Sequence, residues 1–110
     1  MFEYNATMRR VVDGDTVDLE VDLGFSILVR ERFRLLHIDT PETSTPEGKA
    51  SKAYVVDRLP VGAEVHIQSK GKDKYGRWLA VVTPEGSRSS INDDLLTEGL
   101  AVPYEGGKKP

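Results

Sequence analysis

Hydrophobic and polar residues alternate along the first third of the chain, which is the pattern of half-buried β-strands. Residues 16–23 show it most clearly, because every second residue is Val or Leu and those between are Thr or acidic. We predict strands over residues 4–12, 16–23 and 25–38. Asp13-Gly14-Asp15 and Gly24 are predicted turns, with Gly14 supplying a positive φ.

The second half of the chain alternates between helical and strand patterns. Apolar residues at helical spacing predict a helix over residues 49–59, and strands are expected over residues 64–69 and 77–83. A second helix should begin after Ser90 as its N-cap and end at Gly99, with Leu100 packing back onto Leu95 or Leu96.

Five strands and two helices in this order are typical of a β-rich α+β protein, an all-β barrel with helices. The oligonucleotide-binding (OB) fold, a five-stranded and partly open barrel, is the best match. A ferredoxin-like sandwich is the structural alternative, but its strands and helices alternate earlier in the chain. We expect one domain over residues 1–103 and a flexible tail over residues 104–110.

Composition limits the partners and the compartment. Hydrophobic residues make up 38% and charged residues 30% of the chain, with no apolar run long enough to span a bilayer. The first residues have no secretory signal pattern. We therefore expect a monomer with no membrane partner, cytoplasmic, or secreted if a leader precedes this sequence.

The chain has no Cys and two His, which excludes disulfides, thiolate catalysis and cysteine-ligated zinc. A bound metal would need oxygen ligands, which favours calcium or magnesium. The net charge of −3 is unusual for a protein that binds nucleic acid. However, residues 12–22 hold five acids and no base, whereas basic residues cluster in 30–34 and 70–77.

Several charged residues are candidates for chemistry. Asp13 and Asp15 flank Gly14, and Arg34 precedes Asp39 and Glu42 where a strand is expected to end. An arginine fork beside carboxylates that can hold a metal is suited to gripping a phosphodiester. Taken singly, these residues are also explained as a turn, a helix start and surface ion pairs.

Other interpretations of single residues are structural. The Asp13–Asp15 spacing resembles the start of an EF-hand, but the sixth position has no glycine and the twelfth no glutamate. His37 is interpreted as a surface side chain, and Trp78 as a packing residue rather than a base-stacking platform.

Three blocks together give a more specific indication: Asp-Gly-Asp-Thr at 13–16, Arg-Leu-Leu-His-Ile-Asp-Thr-Pro-Glu at 34–42, and Asp-Lys-Tyr-Gly-Arg-Trp-Leu-Ala at 73–80. In this order they resemble the staphylococcal nuclease family, over residues 11–102. The resemblance implies that Asp15, Asp39 and the carbonyl of Thr40 bind calcium, with Asp13 acting through water. It also implies that Glu42 is the general base and that Arg34 and Arg77 grip the scissile phosphate. The implied substrate contacts are Lys74, Tyr75 and Tyr104.

The function implied by the resemblance is calcium-dependent hydrolysis of DNA or RNA at the phosphorus–5′-oxygen bond, leaving 3′-phosphate ends. We expect single strands to be preferred. The hairpin before Arg34 is longer and the loop after Glu42 shorter than is usual in the family, and its C-terminal helix does not follow Tyr104. A catalytically silent barrel that binds nucleic acid or protein is the alternative, although such relatives typically lose these aspartates and arginines. A purely structural barrel would leave the acidic turns and the arginines unexplained.

Overall fold

The computed structural model describes residues 2–105. In chain order its elements are β1 (Phe2–Asp13), β2 (Thr16–Asp22), β3 (Leu28–Leu35), β4 (Ile38–Asp39), α1 (Pro46–Arg58), β5 (Glu64–Lys72), β6 (Trp78–Pro84), α2 (Ile91–Thr97) and β7 (Val102–Pro103). The predicted strands over residues 4–12, 16–23, 64–69 and 77–83 and both helices are confirmed, with boundaries that differ by a few residues.

Five of the strands form a closed barrel in the order β1-β2-β3-β6-β5, so the predicted five-stranded barrel with two helices is confirmed. It is closed rather than partly open. The closure comes from a short parallel pairing of β3 with β6, in which Arg34 lies opposite Leu79. Parallel pairing between these strands is possible because α1 and β5 intervene between them along the chain.

The core fills the barrel and the space beneath the helices. Alternate residues of the strands, such as Leu19 and Ile67, are fully buried, as the period-2 pattern predicts. Val55 from α1 and Leu95 from α2 join the same cluster. The barrel is therefore a packed scaffold, and any site must lie on its rim or outer surface.

The prediction of one strand over residues 25–38 is wrong at both ends. β3 begins at Leu28 and ends at Leu35. His37 then adopts a left-handed φ of 70°, which redirects the chain into the short strand β4. β4 pairs with β7 instead of extending β3, so Arg34 and Ile38 do not lie along one face of a single strand.

The turn at residues 13–15 forms as predicted, but for a different reason. Gly14 does not have a positive φ. A Cβ at this position would lie 2.8 Å from the Cβ of Ser51 and 3.0 Å from the Oγ1 of Thr40. Glycine is therefore required by close approach, since the turn packs directly against α1 and against the segment after β4.

Both helices are capped as sequence chemistry indicates. Thr45 is the N-cap of α1, which begins at Pro46, earlier than predicted. The predicted N-cap Ser90 accepts a bond from the backbone of Asp93. At the other end of α2, Gly99 has a φ of 72° and the Leu100 amide donates to the Leu95 carbonyl at 2.9 Å, which confirms the predicted cap.

The end of the described chain lies against the barrel. The Tyr104 amide donates to the His37 carbonyl at 2.8 Å. Residues 106–110 of the predicted flexible tail lie outside the described residues. No helix within residues 2–105 is both long enough and apolar enough to cross a membrane.

Candidate active site

The Asp13–Asp15 turn and the segment after β4 meet at one end of the barrel. Close packing of Gly14 brings Asp15 beside Thr40, whose backbone amide donates to the Asp15 carboxylate at 3.2 Å. The other oxygen of that carboxylate accepts the Thr16 hydroxyl at 3.0 Å. Two segments that are far apart in sequence thus fix the Asp15 side chain.

Arg34 connects both carboxylates of this region. Its Nη2 lies 2.8 Å from Asp39 and 3.4 Å from Asp15, and its Nη1 donates to the Ile38 carbonyl at 3.0 Å. The residue is 8% exposed, and its guanidinium lies 4.9 Å from the ring centroid of Tyr104. A buried guanidinium held at three oxygens has little rotational freedom, so its direction is set before any ligand arrives.

The carboxylates of Asp15 and Asp39 are the side chains that fit a cation. Both are largely buried and converge on a single nitrogen of Arg34. Oxygen donors of this kind suit calcium, which takes six to eight oxygen ligands. Within residues 2–105 no group of three His, Cys, Asp or Glu side chains is placed to hold a metal ion. Main-chain carbonyls, water and substrate oxygens would have to complete the coordination.

Asp13 lies in the same region but is oriented differently. Its carboxylate accepts the Thr43 hydroxyl at 2.8 Å. Thr43 was not predicted, and no signal in the sequence distinguishes it from the neighbouring hydroxyl residues. Asp13 is thus held near Asp15 without contributing to the carboxylate pair on Arg34.

The backbone of Glu42 is fixed while its side chain is exposed. Its carbonyl accepts bonds from the backbone and the hydroxyl of Thr45, at 2.9 and 2.7 Å. Gly48 of α1 packs against the same carbonyl so closely that a Cβ there would overlap it. Within residues 2–105 the Glu42 carboxylate makes no hydrogen bond or ion pair. It can therefore accept a proton without first breaking a contact.

Arg77 is held by Asp73, four residues earlier. Its Nε and Nη2 lie 2.9 and 2.8 Å from one carboxylate oxygen, and its backbone amide donates to the other. Burial alone would raise the pKa of Asp73, but the backbone bonds from Arg77 and Tyr75 and the guanidinium outweigh it, so the pKa lies below its ordinary value. Asp73 thus remains a carboxylate and keeps Arg77 oriented.

The side chains of Lys74 and Tyr75 lie on the tip of the same loop. Tyr75 is 72% exposed, and its ring centroid lies 5.4 Å from the Lys74 ammonium and 5.5 Å from the Arg77 guanidinium. A large exposed aromatic ring beside cations presents a surface suited to a nucleotide.

Two clefts contain these residues. The acidic cleft, about 310 Å³, is lined by Asp13, Asp15, Arg34, Asp39, Thr40, Pro41, Glu42, Thr43 and Arg77. The basic cleft, about 450 Å³, is lined by Arg34, Leu36, His37, Lys70, Lys72, Asp73, Lys74, Tyr75, Arg77, Leu79, Tyr104 and Glu105. Arg34 and Arg77 line both clefts, so two guanidinium groups stand where the clefts meet.

All the residues singled out from sequence line one or both clefts, including those from the β1–β2 turn and Tyr104 near the C-terminus. Sequence reasoning missed the supporting residues Asp73 and Gly48. For Asp73 a signal existed, because a carboxylate and an arginine four residues apart around a turn glycine can pair. For Gly48 there was none, since its partner is a backbone carbonyl outside the helix.

The similarity of this chain to known proteins extends over most of its length. The family model described as "Staphylococcal nuclease homologue" matches residues 32–110. The relatives include Endonuclease YhcR of Bacillus subtilis, 34% identical over 93% of this chain and 9% of that protein. An uncharacterized endonuclease of Haemophilus influenzae is 36% identical over 87% of this chain and 50% of that protein. Thermonuclease of Staphylococcus intermedius is 37% identical over 86% of this chain and 56% of that protein.

The chain spans between 9% and 56% of the length of these three relatives. The similarity therefore concerns this domain rather than the whole of any relative. At the level of the family, it groups the chain with nucleases.

Proposed function

This chain belongs to the family of staphylococcal nuclease homologues, and from that premise we propose that it is a calcium-dependent phosphodiesterase acting on DNA and RNA. The observation that carries the proposal is that Arg34 and Arg77 stand where a carboxylate-lined cleft meets a basic, tyrosine-lined cleft. A phosphate between the clefts would face both guanidinium forks, with its nucleoside in the basic cleft.

Arg34 and Arg77 have the role of gripping the scissile phosphate. Negative charge develops on the oxygens of that phosphate in the transition state, and preorganised donors stabilise it most. Arg34 is held by Asp15, Asp39 and the Ile38 carbonyl, whereas Arg77 is held by Asp73. Both guanidinium groups are therefore oriented before the substrate binds.

Calcium fits the proposal because Asp15 and Asp39 supply hard oxygen donors. The proposed coordination is completed by the Thr40 carbonyl, with Asp13 acting through water. Bound calcium would supply positive charge beside the scissile phosphate. The substrate contacts proposed for the basic cleft are Lys74, Tyr75 and Tyr104, whose ammonium group and rings suit a neighbouring phosphate and a base.

Glu42 is the proposed general base. It accepts a proton from the attacking water, whose oxygen forms a new bond to phosphorus. The bond between phosphorus and the 5′-oxygen breaks, and that oxygen takes up a proton from solvent water. The products are a 3′-phosphate and a 5′-hydroxyl. The fixed backbone and exposed carboxylate of Glu42 suit this role.

The test is cleavage of a single-stranded DNA oligonucleotide with calcium, with magnesium and with a chelator. We expect cleavage with calcium, loss of it in chelator, and poor activity with magnesium. Analysis of product ends checks the 3′-phosphate. A GC-rich duplex of the same sequence should be cut more slowly, because paired bases are not free to enter the basic cleft.

Each result bears on a different part of the proposal. Undiminished cleavage in chelator would exclude the calcium requirement. Binding of the oligonucleotide without cleavage under any metal condition would identify a silent binding module instead.

A further inference from the structure

A third groove adjoins the basic cleft, and the two share Lys70 as a lining residue. This aromatic groove has a volume of about 440 Å³, and its lining includes Phe2, Tyr4, Phe33 and Trp78. The whole chain contains three Phe, four Tyr and one Trp, so half of its aromatic residues lie here. Phe2 is 70% exposed, which is costly for an aromatic ring that has no partner to cover it.

Cations lie between the groove and the basic cleft. Lys72 lines the basic cleft, yet its ammonium group lies 4.7 Å from the ring centroid of Trp78, its partner across β5 and β6. Lys70 is exposed and lies at the rim common to both grooves. The aromatic groove is thus connected to the proposed phosphate site by two ammonium groups.

We propose that the aromatic groove is a second subsite for single-stranded nucleic acid, occupied by bases that flank the nucleotide in the basic cleft. This inference rests on the proposed function. Aromatic rings bind bases of any sequence by stacking, and lysines track the phosphates between them. Trp78 packs against the core, as interpreted from the sequence, and it also lines the groove. We assign stacking to its exposed part and to Phe2, while Lys70 and Lys72 pair with the backbone that crosses from one groove to the other.

Two features favour this occupant over a protein segment. The lysines lie on the side of the groove that faces the basic cleft, which matches a polyanion entering from there. Glu31 also lines the groove and repels phosphate, so the nucleic-acid backbone is kept on the lysine side. Only unpaired bases can stack on the rings, which gives the expected single-strand preference a physical cause.

Trp78 makes the test direct, because the chain contains a single Trp whose fluorescence reports on the groove. The Glu42→Gln protein, with calcium present, is titrated with a thymidine dinucleotide and with an oligonucleotide of about eight thymidines. Both are expected to bind in the basic cleft. Only the longer strand should quench Trp78, and it should bind about tenfold more tightly or better, as base stacking predicts.

Variants assign the effect to the groove. Trp78→Leu retains apolar packing against the barrel but removes the ring, and Trp78→Phe restores a ring. With binding followed by anisotropy of a labelled strand, Trp78→Leu and Lys70→Glu should each weaken binding of the longer strand about tenfold. Affinity for the dinucleotide should be unchanged in Trp78→Leu, because Trp78 does not line the basic cleft, whereas Lys70→Glu should weaken both ligands because Lys70 lines both grooves. Trp78→Phe should recover most of the loss. Lys52→Glu on α1 is the charge-matched control and should have no effect, since Lys52 is not among the described residues that line either groove.

The possible negative results separate failure of the second subsite from failure of the proposed function. If both ligands bind equally, or if Trp78→Leu binds the longer strand like the parent protein, the second subsite is refuted while the nuclease proposal stands. If neither ligand binds and the wild-type protein does not cleave, the proposed function itself is refuted. If Trp78 fluorescence responds to protein concentration alone, a second copy of the chain covers the groove and the proposal is also wrong.

Discussion

Arginines at three positions along β3 pair with carboxylates, and the pairs of Arg32 and Arg34 differ in surroundings rather than in contact length. Arg32 lies 2.8 Å from Asp18, and Arg34 lies 2.8 Å from Asp39. The side chains are 49% and 26% exposed in the first pair but 10% and 13% in the second. The two arginines are two residues apart, so they start from the same face of the strand.

The two pairs differ in the number of chain segments that pack around the arginine. Arg32 meets Asp18 directly across the β2–β3 hairpin, with solvent around both side chains. Arg34 is covered by the β1–β2 turn, by β4 and by Tyr104, and so meets two carboxylates and a carbonyl. Exposed pairs contribute little to stability, whereas enclosed, preorganised charges are the ones that stabilise a transition state. The comparison predicts that function depends on the enclosed pairs of Arg34 with Asp15 and Asp39, and not on the exposed hairpin pair of Arg32 with Asp18.

The largest effect should come from Glu42, which lines the acidic cleft together with the enclosed Arg34. Glu42→Gln keeps shape and hydrogen-bonding reach but cannot accept the proton, so turnover should fall by about 10²–10⁴-fold. Calcium affinity should change less. Asp39→Asn should show the reverse order, with calcium binding lost first. Calcium titration and turnover are measured on both variants together. If Glu42→Gln abolishes calcium binding while Asp39→Asn spares it, the roles of base and ligand are interchanged.

The direct comparison of the two sets uses lysine substitutions along one strand. Arg34→Lys keeps the charge but loses the planar fork, and turnover should fall by about 10²–10³-fold, the usual effect of removing one preorganised donor. Arg77→Lys should lower turnover by a similar factor. Arg32→Lys is the matched control and should cleave as wild type does. Wild-type activity in all three variants would show that enclosure of the arginine does not matter, and another cation would have to grip the phosphate.

A smaller effect is expected when the support of Arg77 is weakened. Asp73→Asn retains an oxygen for the backbone amides but loses the charge that holds the guanidinium. Misplacing a gripping group can cost up to about 10²-fold, and we expect a loss between tenfold and that value in turnover. Because Asp73 acts through Arg77, the double variant Asp73→Asn, Arg77→Lys should be hardly worse than Arg77→Lys alone. Additive losses would mean that Asp73 acts independently of Arg77.

The same carboxylate gives a pH dependence of stability. The pKa of Asp73 is lowered in the folded protein from its ordinary value of 3.8. Its contribution to stability is therefore complete above pH 3.8 and is lost as pH falls through the lowered pKa. In denaturant unfolding, the difference between wild type and Asp73→Asn should be constant near neutrality and vanish in acid. A difference that persists or grows in acid would contradict this assignment.

The smallest expected effect concerns the backbone beneath Glu42. An Ala in place of Gly inside a helix normally stabilises it by about 1 kcal/mol. Gly48→Ala should instead destabilise the fold by about 1–3 kcal/mol. The added Cβ would overlap the Glu42 carbonyl, so the contact between α1 and the Glu42 segment would be overpacked. Lys49→Ala, at the neighbouring exposed position, is the control and should be nearly neutral. Stabilisation by Gly48→Ala would show that α1 and the Glu42 segment separate easily.

Local chemistry in the sequence predicted much of the fold. Period-2 alternation located the strands, and Ser90 and Gly99 marked the ends of α2, because caps and alternation act over a few residues. Across the β2–β3 hairpin Arg30 pairs with Glu20 and Arg32 with Asp18, since the turn of a hairpin determines its register. The break after Leu35 was missed because His37 in a left-handed conformation has no strong local signal.

The sequence by itself therefore determined the barrel class, the caps of α2, the restriction to oxygen ligands and the blocks of residues that identify the family. Only the tertiary structure decided that the barrel closes, that Gly14 and Gly48 serve close approach, and that Asp73 rather than a distant acid holds Arg77. It also decided that Arg34 is enclosed while Arg32 is not. The reason is that alternation specifies which side of a strand a residue faces, whereas exposure on that side depends on which distant segments pack over it.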